Sequence, residues 1–226
     1  MPEAPLPASL TEAVALLERA IGYGRAALGG VTDELLSRPT PCREWDLATL
    51  LGHMEDSLAA MCEAAEAGEV ALEPVRPDGA PAAGGAGATV GRLRDRACAL
   101  LGGWVARVQP AGPGGLSGVV GPGVAAAGGC GVGARPALPM TVGGQPLAAE
   151  LLVHAGALEI AVHAWDVTRS CGLDHPLPAD LAARLLELAP ALVVDEDRPV
   201  RFGPVRPVPP EAGPGERLLA HLGRRA

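Results

Sequence analysis

A carboxylate and an imidazole four residues apart, Glu159 and His163, stand in the run Leu158-Glu-Ile-Ala-Val-His-Ala-Trp-Asp166, which is otherwise apolar and reads as helix. An i, i+4 step sets both side chains on one helix face. Polar groups on a mostly buried face are expensive to desolvate unless something pairs with them. A divalent metal would pair with both at once, and a third ligand from another helix would close the site. His53, inside Leu50-Leu-Gly-His-Met54, is the natural candidate. The pair alone is weak: with 5 His and 16 Glu in 226 residues, chance supplies about one third of a Glu-x3-His pair. A plain Glu–His hydrogen bond or a solvated helix edge is the competing reading.

Further residues near this run carry their own alternatives. Asp166 lies three residues beyond His163 on the same stripe and is the candidate catalytic carboxylate, placed to hydrogen-bond a ligand imidazole. A helix-end charge or a contact to Arg169 is its alternative. Trp165 reads as core. Cys42 is a thiol within reach of such a site, although its place in a turn reads as architecture. His154 is nine residues from His163, half a helical revolution away, and points elsewhere. His175 and His221 read as incidental. Arg92, Arg94 and Arg96 would suit a carboxylated substrate, with a solvated face as the plainer expectation.

The elements that must position these groups are helical. Aromatic residues are only 2% of a chain that is 48% hydrophobic, so Leu, Val and Ala do the packing, a diet that favours helix bundles over β-sandwiches. Ser-Leu-Thr-Glu opens a helix over 8–28. Pro39-Thr-Pro-Cys-Arg-Glu-Trp45 is a turn, and Asp46 caps a second helix over 46–67 whose apolar stripe runs through Leu47, Leu50, Leu51, Met54, Leu58 and Met61. Residues 74–88 read as a linker and 89–108 as a third helix. The stretch 110–145 is rich in Gly, Pro, Ala and Val and reads as a lid or crossover; no phosphate-loop pattern occurs in it. A fourth helix is expected over 145–171, ended by Gly172. On it Gly156, one turn before the polar pair, is read as open space for a ligand. A fifth helix over 178–194 and a Pro-rich tail follow. The expected division is a bundle over 1–175 and a C-terminal extension over 176–226 packed on it.

Composition excludes several classes. The net charge of −8, without a basic stripe, argues against nucleic acid. All 18 basic residues are Arg, and Lys and Asn are absent, the codon signature of a GC-rich genome. Five scattered cysteines (42, 62, 98, 130, 171) without C-x-x-C suit reduced thiols in a cytoplasm better than a disulfide framework. Neither an export signal nor an unbroken membrane-length apolar span is visible. The expectation is a cytoplasmic protein acting on a small molecule, with neither nucleic acid nor membrane as partner and a homodimer left open.

Thr40-Pro-Cys-x-x-Trp-Asp46, Leu-Leu-Gly-His53, Glu159-x3-His163-Ala-Trp-Asp166 with Ser-Cys-Gly172 behind it, and the terminal Phe202-Gly-Pro-Val-x-x-Val-Pro-Pro210 and Leu218-Leu-Ala-x-Leu-Gly-Arg224 together resemble the DinB-like superfamily. The resemblance is closer to its actinobacterial maleylpyruvate-isomerase-like branch, whose founding activity depends on mycothiol. It covers most of the chain except 110–145. It implies an all-α, DinB-like four-helix bundle with a long Gly-rich connection and a short C-terminal extension. It also implies a divalent metal, Zn²⁺ before Ni²⁺ or Fe²⁺, held by His53, Glu159 and His163. Three ligands leave a position open, as catalytic zinc sites do. The chain after the bundle is too short for the large C-terminal domain of the founding isomerase. The leading expectation is a metal-dependent enzyme that activates a mycothiol-like thiol for S-transfer to, or isomerisation of, a small electrophile. A thiol-independent metal enzyme for hydrolysis, dehydration or isomerisation, and a non-enzymatic ligand-binding bundle, are the alternatives.

Overall fold

The computed structural model describes residues 9–42, 45–70, 83–108, 140–198 and 201–225. Helix α1 (Leu10–Ala27) starts where Ser9 accepts the Glu12 N–H at 3.2 Å, and α2 (Leu47–Ala67) where Asp46 accepts that of Thr49 at 2.9 Å. Each cap satisfies an amide that the first helical turn leaves unpaired. Four more helices follow: α3 (Ala86–Val108), α4 (Ala149–Cys171), α5 (Ala179–Leu192) and α6 (Pro214–His221). α3 starts three residues before the expected position because Asp33, from the α1–α2 connection, accepts the Ala86 N–H at 2.6 Å and caps it.

The first four helices form the bundle. α1 packs on α4 and α3, and α2 packs on α3 and α4, so the consecutive helices α1 and α2 face each other across the diagonal. Leu17, Leu47, Leu50, Leu51, Leu93, Leu100 and Trp104 are fully buried in it, each worth about 1.5–3 kcal/mol of transfer free energy. With so few aromatics, small residues close the remaining gaps. A Cβ on Gly24 of α1 would lie 3.3 Å from Ile160 of α4, and one on Gly103 of α3 would lie 3.1 Å from Ala65 of α2. Gly156 belongs to the same set. A Cβ there would meet the Met61 sulfur at 2.3 Å, so this glycine admits the Met61 side chain of α2 and is not open space for a ligand.

A small sheet links α2 to α4. Gly68 ends α2 in the left-handed conformation (φ 76°), which glycine adopts without strain, and β1 (Glu69–Val70) follows. β1 pairs in parallel with β2 (Met140–Val142), with Glu69 opposite Thr141 and Val70 opposite Val142. β2 pairs antiparallel with β3 (Gln145–Leu147) through the Gly143–Gly144 turn, where both glycines have positive φ, the requirement of a two-residue type I′ hairpin. Residues 145–147 are therefore strand, and the fourth helix begins at Ala149. Pro146 fits because β3 is an edge strand. Of the stretch expected to be a lid, 110–139 lie outside the described residues, as do 74–82 of the linker.

Gly172 (φ 71°) ends α4, and α5 returns against α4 and α1, with α6 packed on α5. The single tyrosine of the chain, Tyr23 on α1, ties this turn down: its hydroxyl donates to the His175 carbonyl at 2.7 Å and its ring stacks on His175 at 4.9 Å. Burial pushes the Tyr23 phenol up to about 12, against the lowering hydrogen bond of Thr168 and with a smaller push from Asp166. The folded protein holds this proton more tightly than the unfolded chain. The stabilisation is thus complete below the ordinary phenol value of 10.0 and is lost as pH rises from there through about 12. Titrating the phenolate absorbance is expected to give one transition near the upper value, and Tyr23→Phe is expected to cost about 1 kcal/mol below it.

Candidate functional site

Three elements meet at one side of the bundle. The first is the turn before α2. The Thr40 hydroxyl sits 2.9 Å from the Trp45 carbonyl and accepts the Cys42 N–H at 3.1 Å, a side-chain-to-backbone closure suited to a tight turn. That closure presents Cys42 and Trp45 toward the bundle. α2 supplies His53 and Ser57, and α4 supplies Glu159, His163 and Asp166.

His53 Nε2 lies 2.6 Å from Glu159 Oε1, and His163 Nε2 lies 3.2 Å from the same oxygen. The two imidazole rings stand edge to face at 5.0 Å, with Trp45 4.8 Å from His53 on its other side. Ser57 donates to Glu159 Oε1 at 3.3 Å. One donor atom from each of His53, Glu159 and His163 falls within 4.8 Å of the others. The structure thus brings His53, Glu159 and His163 together. The side chains of His53 and Glu159 are 35% and 32% exposed, while that of His163 is 9% exposed. The group therefore faces solvent on the His53 side and is anchored in the protein on the His163 side.

The anchoring side holds Asp166, which the sequence singled out, and Arg224, whose part in the site it did not show. Asp166 is fully buried in mid-helix. Its Oδ2 lies 3.0 Å from His163 Nδ1, and Arg224, from beyond α6, reaches it with Nε at 2.9 Å from Oδ1 and Nη2 at 2.7 Å from Oδ2. This is the two-pronged geometry in which a guanidinium binds a carboxylate most strongly. Arg169, the alternative partner, instead lies over the Trp165 ring at 5.7 Å. Cys42 completes the cluster, with Sγ 3.2 Å from Asp166 Oδ2, 3.7 Å from His163 Nδ1 and 3.6 Å from Arg224 Nη2. Its turn thus has a consequence at the site.

Arg224 is positioned by a glycine contact. Gly223 has φ 80°, and a Cβ there would lie 2.6 Å from the backbone of Gly203. The chain turns back at this point, with the Arg224 N–H donating to the Leu219 carbonyl at 2.8 Å. The only hint of this in the sequence is an Arg directly after the glycine that ends a short apolar helix.

The charges are strongly coupled. Burial raises the Glu159 carboxyl, but the charge and hydrogen bond of His163 and the bond from His53 outweigh it and hold the group well below the usual carboxylate range. Burial lowers His163, yet the Glu159 charge and hydrogen bonds with Asp166 and Cys42 carry it well above its ordinary value. For Asp166, burial is overcome by Arg224 and His163, which bring it to about 2. An ionised Asp166 accepting from Nδ1–H fixes the orientation of the His163 ring, with Nε2 as the atom that faces Glu159.

Among the remaining histidines, His154 is buried on another face of α4, away from this group. Arg92 and Arg96 are held by Glu55, through its carboxylate at 2.6 Å and its backbone carbonyl at 3.1 Å, rather than by solvent. Cys42, Cys62, Cys98 and Cys171 are free thiols, and Cys130 lies outside the described residues. No described helix is long and apolar enough to cross a membrane.

A mostly helical chain built on four packed helices, with histidines and acids converging from α2 and α4, is an all-α DinB-like bundle. The family model described as the mycothiol maleylpyruvate isomerase N-terminal domain matches residues 17–168, and the chain belongs to that family. Two proteins of Mycobacterium tuberculosis, from strains CDC 1551 / Oshkosh and ATCC 25618 / H37Rv, each described as an uncharacterized protein, are 29% identical over 214 residues. The alignment covers 92% of this chain and 94% of each relative. No solved structure gives a significant match.

Proposed function

We propose that His53, Glu159 and His163 hold a divalent metal, Zn²⁺ first, and that the protein uses it on a low-molecular-weight thiol of the mycothiol type. The thiol would be directed at a small electrophile, for S-transfer or isomerisation. The observation that carries the reading is the convergence of one carboxylate oxygen and two imidazole nitrogens within 4.8 Å, the donor set of His₂Glu catalytic zinc sites. The family description supplies the thiol.

The donor set fits a cation on physical grounds. One carboxylate oxygen and two imidazole nitrogens converge on one place, where positive charge, from ring protons or from a bound cation, offsets the charge of Glu159; the lowered Glu159 and raised His163 reflect that coupling. A second group, Cys42, His163 and Asp166, also has metal-ligand spacing. There the guanidinium of Arg224 already neutralises Asp166 at 2.7 Å, and a second cation beside it would be repelled. We therefore assign the metal to the first group and a positioning role to the second.

When bound, the metal would lower the pKa of a ligated thiol so that a thiolate is present at neutral pH. The chain's own residues do the rest. His53 and Glu159 lie on the solvent side, where a thiol can approach. Asp166 holds His163 in the tautomer that offers Nε2, and Arg224 keeps Asp166 ionised. Cys42, hydrogen-bonded behind His163, belongs to this support.

The test is consumption of an electrophilic bimane or enone by zinc-loaded protein and mycothiol. Thiol-dependent loss of the electrophile, removed in Glu159→Gln, is the expected result. Turnover of neither electrophile by fully loaded protein would overturn the thiol reading.

A further inference from the structure

Two histidines outside the ligand group each bury a ring nitrogen that makes no hydrogen bond among the described residues: His154 at Nδ1 and His221 at Nε2. Both belong to the docking of the C-terminal extension. His154 on α4 is 2% exposed. It lies where α1, α4 and α5 come together, faced by Glu12 of α1, Glu150 of its own helix and Arg184 of α5. His221 closes α6 and faces Arg198 and Asp195, from the segment that joins α5 to α6. Arg198 also donates from Nη2 to the His221 carbonyl at 2.9 Å.

Both places are built for a neutral ring. A buried nitrogen that keeps only its lone pair loses little, whereas protonation brings a charge and a second N–H into the same enclosed space. Burial lowers His154 below its ordinary value of 6.5. The Glu150 carbonyl opposes this without closing a hydrogen bond to Nδ1, Arg184 adds to the lowering, and the charges of Glu150 and Glu12 offset it only in part. Burial and then Arg198 lower His221, against Asp195. An undocked extension therefore takes up these protons more readily than a docked one. The contribution of each neutral ring to docking is complete above the ordinary value of 6.5 and is lost as pH falls below it.

We propose that His154 and His221 form an acid-sensitive latch, in which protonation of their buried rings frees α5 and α6 from the bundle and draws Arg224 away from Asp166. An ion pair between α5 and the bundle, Arg19 to Asp180 at 3.0 Å, is open to solvent and holds weakly, so burial has the larger share in keeping α5 down. Neither histidine belongs to the ligand group, and the latch stands whether or not that group holds a metal.

The test uses the purified full chain with a chelator present, so that loss of a bound metal contributes nothing. Amide hydrogen exchange, corrected for its intrinsic pH dependence, is followed between about pH 7.5 and 5.5. Protection in α5 and α6 is expected to fall by up to about tenfold per pH unit for each histidine that takes up a proton, while α2 and α3 stay protected. His154→Leu and His221→Gln should each flatten this fall, and the double variant should abolish it. An unchanged fall in the double variant would overturn the latch. Equal loss of protection in α2 and α3 would do the same, because the whole chain would then be unfolding. If His154→Leu does not fold, the His154 ring-proton resonance of the wild type gives the answer: titration below the ordinary 6.5, in step with exchange in α5, supports the latch, and titration at or above that value refutes it.

Discussion

On the proposed metal site, replacing Glu159 or His163 with alanine is expected to abolish metal binding. Protein purified without a His tag should carry about one equivalent of zinc, as a three-ligand site with one open position predicts, and both variants should carry none. Glu159 contributes the only negative charge among the three proposed ligands, and both imidazoles are turned toward its Oε1. Without it two histidines face each other with nothing to hold a cation between them. His163→Ala removes the ligand whose orientation is fixed from behind by Asp166. The loss should exceed the 10–100-fold drop in affinity, on the order expected when an outer-shell partner is removed. Elemental analysis of the three proteins decides the matter. Metal-free wild type that cannot be loaded would leave a bundle in which the polar triad is a structural contact.

The second large effect is expected at Arg224. Its side chain is 9% exposed and that of Asp166 is 0% exposed, so Arg224→Ala leaves a buried carboxylate with His163 and Cys42 as its partners. Breaking a buried pair in this way costs about 3–5 kcal/mol, which denaturant titration will register. The same variant should weaken zinc by about 10–100-fold, because Asp166 no longer holds His163 in place. Arg224→Lys keeps the charge but loses the fork that engages both carboxylate oxygens; it should fall between wild type and alanine in both measurements. Stability that falls while zinc affinity stays unchanged would confine Arg224 to a structural role.

How far the sequence reaches is clearest at particular residues. Helix positions were legible because Leu and Ala recur at helical spacing and Ser9, Asp46 and Gly172 mark ends. His53 was a candidate from its own helix, but its pairing with Glu159 gained its weight from the motif resemblance, since periodicity gives a face and not the helix that it meets. Gly156 shows the limit of that reasoning. A glycine on a helix marks room, but only the neighbouring helix decides what takes it, and here Met61 does. The strands were invisible because two or three residues are too few to show alternation, although the Gly143–Gly144 pair is a hairpin signal. Arg224 lay furthest out of reach. It meets Asp166 across 58 residues of chain, and no local pattern encodes such a pairing.

If the proposed site holds a metal, the dependence of His163 on Arg224 through Asp166 makes metal affinity and tail docking one equilibrium seen from two ends. The glycine contact at 203 and 223 brings the segment after α6 back to α4, so whatever favours one event favours the other by the same free energy. Zinc should therefore slow amide hydrogen exchange not only in α2 and α4, which carry the ligands, but also in α6, which carries none. Conversely, a cut in the segment joining α5 to α6 should release metal from a bundle whose own peptide bonds are all intact.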